Sequence, residues 1–157
     1  MGNPAADLLI TADVVRGTQR WLARAGVAAI AEVPLGNRRR ADLLGLDAEG
    51  RLTLVEVKVS LADLRSDRKW PEYLDYCDRF FWAVPAGLPL TLFDTEDFAP
   101  ARTGLIIADR FDAEVLREAP FVALNAARRK AETLRLARRA AARVMAMVDP
   151  EANAGFD

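Results

Sequence analysis

Two short apolar runs divided by a glycine-containing turn constrain this chain more than any other feature. Arg40 to Asp47 and Leu52 to Ser60 are of strand length, and Ala48-Glu49-Gly50 between them supplies a residue that accepts the positive φ of a hairpin loop. With a loop of those three residues Asp47 faces Arg51, and counting back along both strands sets Asp42 opposite Glu56. Alternation puts Lys58 on the same face, together with Leu44, Leu46, Leu52 and Leu54, and sends Leu43, Val55, Val57 and Val59 to the other. Three ionisable groups therefore interrupt an otherwise apolar hairpin. Directly opposed Cβ atoms lie roughly 5 Å apart, so two carboxylates there repel unless a cation sits between them. An unpaired buried charge costs several kcal/mol, about the whole margin of a small domain, so the arrangement requires compensation.

The rest of the chain supplies the frame. At 157 residues, 52% hydrophobic and 29% charged, it reads as one domain over 1–157, with a core over about 11–110 and a C-terminal helix over about 125–148. Val14, Val15, Trp21, Leu22 and Ala25 recur at helical spacing between a capping Thr11 and Gly26. Val27 to Pro34 reads as a strand closed by the turn Pro34-Leu35-Gly36-Asn37, and Pro71 opens a further helix through Tyr73, Leu74 and Cys77. Arg79 to Val84 and Gly104 to Ala108 read as strands, joined by a loop-dominated stretch with a helical turn near Thr95-Glu96-Asp97. In the terminal helix Leu134, Ala137, Ala141, Val144 and Val148 form an apolar stripe, Pro150 stops it, and the last seven residues read as a loose tail. The expected class is α/β, a mixed sheet flanked by helices.

Composition narrows the chemistry. With no histidine, Ser-His-Asp and Cys-His nucleophiles, histidine zinc sites and histidine bases are all excluded, leaving carboxylates, lysine or a hard metal. The single cysteine, Cys77, reads as core. The chain lacks a signal-peptide pattern and an apolar run long enough for a bilayer, so the expectation is a cytoplasmic protein with no membrane partner. A net charge of −1 gives no global attraction to nucleic acid, and any such surface must be a local basic cluster. Hard cations take oxygen ligands, so Asp42 and Glu56 with the carbonyl of Val57 would serve Mg²⁺, with Mn²⁺ as a substitute. Such an ion lowers the pKa of a bound water and offsets charge on a phosphodiester transition state, while Lys58 holds the nucleophile or the phosphate. The competing reading is that Glu56 and Lys58 simply pair with surface partners on an exposed strand face.

Arg40-Ala41-Asp42 followed after the hairpin by Val55-Glu56-Val57-Lys58 resembles the D…ExK core of the PD-(D/E)XK nuclease superfamily. More narrowly, Arg39 to Asp42, Val55 to Asp63 and the stretch from Asp67 to Phe81 that includes Lys69-Trp70-Pro71-Glu72-Tyr73 resemble the MmcB-like bacterial DNA-repair proteins. The resemblance implies a restriction-endonuclease-like core and a metal-dependent nuclease-type protein acting on DNA in repair or recombination. It also implies that Lys69 and Tyr73 occupy the spacing where superfamily relatives often carry Gln and Tyr beside the catalytic strands. Lysine is a departure there, although it can still meet a scissile phosphate as a point charge. The resemblance also implies a third ligand, since some relatives use a Glu of the first helix, whereas this helix offers Asp13 and Gln19, and Glu32 on the first strand could substitute.

Arg38, Arg39 and Arg40 before the Asp42 strand, and Arg65, Arg68 and Lys69 after the Glu56 strand, place positive charge at both ends of the site and suit DNA. Trp70, Phe80, Phe81 and Trp82 read as core. A Mg²⁺-dependent deoxyribonuclease is the first expectation; a catalytically inactive nuclease fold that binds DNA, a repair protein or a second copy of itself is the alternative.

Overall fold

The computed structural model describes residues 4–153. Its frame is a sheet of six strands in sequential order, β1 (Ala28–Pro34), β2 (Arg40–Leu46), β3 (Leu52–Val57), β4 (Arg79–Val84), β5 (Thr103–Ala108) and β6 (Ala113–Arg117). The first three form an antiparallel meander, β3, β4 and β5 run parallel, and β6 returns antiparallel. Parallel neighbours need a crossover. The first crossover consists of α2 (Leu61–Ser66) and a 3₁₀ turn over Trp70–Tyr76, and the second of 3₁₀ turns over Leu90–Asp94 and Glu96–Phe98.

Both faces of the sheet are covered, which is why β4 is apolar without a break from Phe80 to Val84. On one face α1 (Pro4–Arg24) sets Val14 and Leu22 against Leu43, Val55, Val57, Phe81, Ala83 and Ile106. On the other, Leu44, Leu52, Leu54, Phe80, Trp82 and Val84 pack beneath the crossovers, through Leu64, Trp70, Tyr73 and Phe93, and beneath α3 (Ala126–Val148) through Leu136. This is the mixed, helix-flanked sheet with a long C-terminal helix that the sequence leads one to expect.

Several boundaries differ from the sequence-based reading. The first helix starts at Pro4, not Thr11, whose Oγ1 instead donates to the Asp7 carbonyl at 2.8 Å inside the helix. A threonine bonds the preceding turn as readily as it caps, so its presence alone does not mark a start. Gly26 does end that helix, with φ +78° and the Val27 N–H reaching the Leu22 carbonyl at 2.8 Å. The second hairpin strand stops at Val57, because Ser60 turns to cap α2 and accepts from Asp63 N–H at 3.2 Å. The helix expected after Pro71 is a 3₁₀ turn. Strand β6, Ala-Glu-Val-Leu-Arg, was absent from the expectation because it is short and half exposed. Residues 150–153 form a 3₁₀ turn, and the remainder of the expected tail lies outside the described residues.

The apolar stripe of α3 is the clearest correction. Leu134, Val144 and Val148 are 54%, 60% and 84% exposed, whereas the helix buries Glu132, Leu136 and Ala142. Polar groups orient it: Arg129 pairs with Asp78, Arg143 donates to the Glu32 carbonyl at 2.8 Å, and the Arg128 guanidinium lies 4.1 Å from the Tyr76 ring centre. Ion pairs and hydrogen bonds with definite partners thus outweigh a weak apolar preference that any face could satisfy. Accordingly Leu136→Ala is expected to cost about 2–4 kcal/mol in urea unfolding, and Leu134→Ser less than about 0.5 kcal/mol.

Candidate active site

The hairpin loop sets the register on which the site depends. Gly50 takes φ +80°, its N–H reaches the Asp47 carbonyl at 3.1 Å, and Asp47 N–H reaches the Arg51 carbonyl at 3.2 Å. From there the pairing runs through Leu46 with Leu52 to Leu43 with Val55, so the next rung holds Asp42 and Glu56. On that rung side chains take over from the backbone ladder: Glu56 Oε1 accepts from Asp42 N–H at 3.2 Å, and Asp42 Oδ2 accepts from Val57 N–H at 2.8 Å. Each carboxylate thereby commits one oxygen to the opposite strand. Among the described residues no hydrogen bond reaches Asp42 Oδ1 or Glu56 Oε2.

Glu56 is 4% exposed, and burial followed by the neighbouring Asp42 charge pushes its carboxyl well above the usual range. Burial also raises Asp42, partly countered by the Val57 N–H and by Lys58. Lys58 is 6% exposed and its Nζ lies 2.8 Å from Asp67 Oδ2 and 3.5 Å from Asp63 Oδ1. Burial alone would lower its pKa, but the Asp67 hydrogen bond and the Asp63, Asp67 and Glu56 charges raise it. Asp67 also fixes the chain beyond α2, since its Oδ1 accepts from Lys69 and Trp70 N–H groups, both at 3.1 Å.

Asp63 and Asp67 are the residues that sequence reasoning passed over. They lie beyond the end of β3, where period-two counting no longer says which side chain points where, and only the turn capped by Ser60 brings them back to Lys58. Tyr73 is buried beneath the site, its hydroxyl donating to the Arg40 carbonyl at 3.1 Å, with burial and the nearby carboxylates raising its pKa. It therefore braces the start of β2. Lys69 is exposed at the mouth of the 3₁₀ turn. Of the arginines, Arg39 is held by Glu72 at 2.9 Å and Arg40 lies 3.5 Å from Glu32, while Arg38, Arg65 and Arg68 are exposed with no ion pair among the described residues. Asp13 pairs with Arg110 and Gln19 donates to the Ala29 carbonyl, so neither first-helix candidate joins Asp42 and Glu56. Glu32 belongs to the strand beside Asp42 but has φ +54°, and its carboxylate meets Arg40.

No group of three or more Asp, Glu, Cys or His side chains gathers into a metal site among the described residues. The two-carboxylate donor set nonetheless fits one hard divalent cation chemically. Both acids offer oxygen alone, burial raises both, the Asp42 charge raises Glu56 further, and a cation would relieve both.

The family model for DNA repair protein MmcB-like proteins matches residues 7–151. The chain belongs to the MmcB-like family. Among solved structures, the MmcB-like chain is similar to the SPO1766 protein of unknown function from Silicibacter pomeroyi, at 39% identity and TM-score 0.82, covering 92% of this chain and 95% of that one. A repair endonuclease from Pyrococcus abyssi aligns at 16% identity and TM-score 0.40, over 69% of this chain and 47% of its own. SfsA from Pyrococcus furiosus, in complex with Ca²⁺, aligns at 14% identity and TM-score 0.35, over 68% and 60%. No curated protein matches the chain. Among the described residues no helix is long and apolar enough to cross a membrane.

Proposed function

We propose that this MmcB-like protein is a Mg²⁺-dependent deoxyribonuclease of DNA repair or recombination, and the observation that carries the reading is the buried Glu56 and half-buried Asp42 on one rung, each carboxylate accepting a backbone N–H of the opposite strand, beside Lys58. Asp42, Glu56 and the Val57 carbonyl would hold the ion, and Mn²⁺ has the same donor preference. When bound, that ion would offset the negative charge of the phosphodiester and favour ionisation of water. The protein's own groups do the rest. Burial raises both carboxyls and the Asp42 charge raises Glu56 further, so a cation between them would relieve the cost of ionising both. Lys58, charged at neutral pH, directs N–H donors toward the attacking oxygen or the phosphate. Tyr73 keeps the Arg40 end of β2 in place, and with it Asp42. Arg38, Arg65, Arg68 and Lys69 meet the DNA backbone from both ends of the site; Arg39 and Arg40 join them by exchanging Glu72 and Glu32 for phosphate.

The direct test is cleavage of end-labelled single- and double-stranded DNA. Activity with Mg²⁺ or Mn²⁺, absent with EDTA and in Asp42→Ala, is the expected result. A second reading has its own observation: Asp67 and Asp63 already engage Lys58, and the exposed Lys69 holds the position where the superfamily resemblance leads one to expect glutamine. On that reading the protein binds DNA as an inactive accessory. Salt-sensitive DNA binding without cleavage under any divalent ion would decide for it.

A further inference from the structure

Next to Lys58 lies a cavity of about 620 Å³ that the hydrolytic reading leaves unused. Asp67 belongs to both places, lining the cavity while its Oδ2 touches Lys58 Nζ at 2.8 Å. Two aromatic residues line it, Trp70, a core residue only 6% exposed, and Phe98, which is partly exposed and offers the accessible ring. Neither is free to collapse inward. Both stand edge-on to the buried Trp82, with ring centres 5.1 and 5.4 Å away, and the Trp70 indole N–H is bonded to the Asp97 carbonyl at 3.2 Å. The rim carries Arg65 and Arg68, both exposed and in no ion pair among the described residues. A cavity of this volume with fixed aromatic walls and a cationic rim suits a flat aromatic ligand attached to an anion.

We infer that the cavity bounded by Trp70 and Phe98 receives one unstacked nucleobase of single-stranded DNA, with Arg65 and Arg68 on its flanking phosphates and the neighbouring phosphodiester led toward Lys58. The inference rests on the proposed DNA-directed function and specifies the form of its substrate: a single strand, or a duplex with a displaced base, because a base paired in a helix cannot enter. A second acidic residue of the lining, Asp97, refines this. Lys58 neutralises Asp67, whereas Asp97 is exposed with no ion pair, and a carboxylate accepts from the exocyclic amine of cytosine or adenine but repels the carbonyl oxygen of thymine. Phe98 and the arginines supply affinity. Asp97 supplies preference for amino-bearing bases.

The experiment measures equilibrium binding by fluorescence anisotropy in EDTA, so that neither metal nor turnover is required. Short single strands with bases are compared with matching strands of abasic residues, for the wild type and for Thr95→Trp, which fills the cavity from its exposed rim. The wild type is expected to prefer the base-bearing strand by about tenfold, within the range of base–aromatic stacking. Thr95→Trp is expected to bring that ratio close to one while leaving affinity for the abasic strand within about twofold. A folded Thr95→Trp that keeps the wild-type ratio, or a wild type indifferent to base removal, overturns the pocket while leaving the DNA-directed function standing. No binding to any strand overturns both. Should Thr95→Trp not fold, Asp97→Leu carries the test: loss of an oligo-dC over oligo-dT preference supports the pocket, and an unchanged or absent preference overturns it.

Discussion

Glu56→Gln is expected to lower Mg²⁺-dependent cleavage at least about a hundredfold and, in the same protein without metal, to raise the unfolding temperature at neutral pH. The first effect is the scale of removing one group that stabilises transition-state charge. The second follows from the sign of the pKa shift. Burial and Asp42 raise the folded-state pKa of Glu56 above its ordinary 4.5, so the folded protein keeps a proton that the unfolded chain gives up. The stability belonging to that protonated form is fully present below about 4.5 and is lost as pH rises through the folded-state value. Metal-free wild type therefore loses stability as pH climbs above the ordinary range. Glutamine is neutral throughout and removes that slope. Each unit of relieved shift corresponds to about 1.4 kcal/mol, which thermal unfolding from pH 4 to pH 8 resolves. In wild type, Mg²⁺ should stabilise more at pH 8 than at pH 5, and in Glu56→Gln hardly at either. A variant that is inactive and also much less stable in EDTA would show that Glu56 serves packing, and would remove the main support for a carboxylate metal site.

Asp78→Ala should produce the largest loss of stability, about 3–5 kcal/mol, in keeping with breaking one partner of a buried ion pair. The Asp78 side chain is fully buried, accepts from Leu52 N–H at 2.7 Å and Leu124 N–H at 2.9 Å, and pairs with Arg129 at 2.5 Å. Burial alone would raise its pKa, but Arg129 and those two N–H groups hold it below the ordinary carboxylate value. Its contribution is thus present above the ordinary Asp range and lost as pH falls through the depressed value. Removing it leaves two N–H donors and a guanidinium without their acceptor at the point where β3, β4 and the entrance to α3 meet. Urea unfolding at pH 7 and pH 3 checks this: the gap between wild type and variant should narrow at low pH. A loss under about 1 kcal/mol at pH 7 would mean that α3 is held chiefly by its few apolar contacts.

Asp42 and Glu56 came together in the sequence reading because their separation depends on one local choice, the turn at Ala48-Glu49-Gly50, and on a period of two that β-strands obey strictly. The two-faced burial of the hairpin followed from the same alternation, and Leu44, Leu54, Leu43 and Val55 lie as counted. The stripe on α3 failed because hydropathy shows which faces can be buried, whereas Glu32, Asp78 and Tyr76 decide which face is. Lys69 and Tyr73 entered through the resemblance to the superfamily's spacing; what local reading did not show is that Lys69 leads into a 3₁₀ turn from which Tyr73 points its hydroxyl at the Arg40 carbonyl.

By itself, then, the sequence determined the hairpin, its register and the placing of Asp42 opposite Glu56, because each depends on residues within a few positions of one another and on backbone geometry that does not vary. Only the tertiary structure decided how those charges are compensated and what surrounds them. Asp67 reaches Lys58 only after the chain has left the sheet, and the cavity beside them exists only because segments far apart in sequence, Leu64 to Pro71 and Leu92 to Phe98, are packed over Trp82. Contacts of that kind are set by how whole elements fill space against one another, and no local period encodes them.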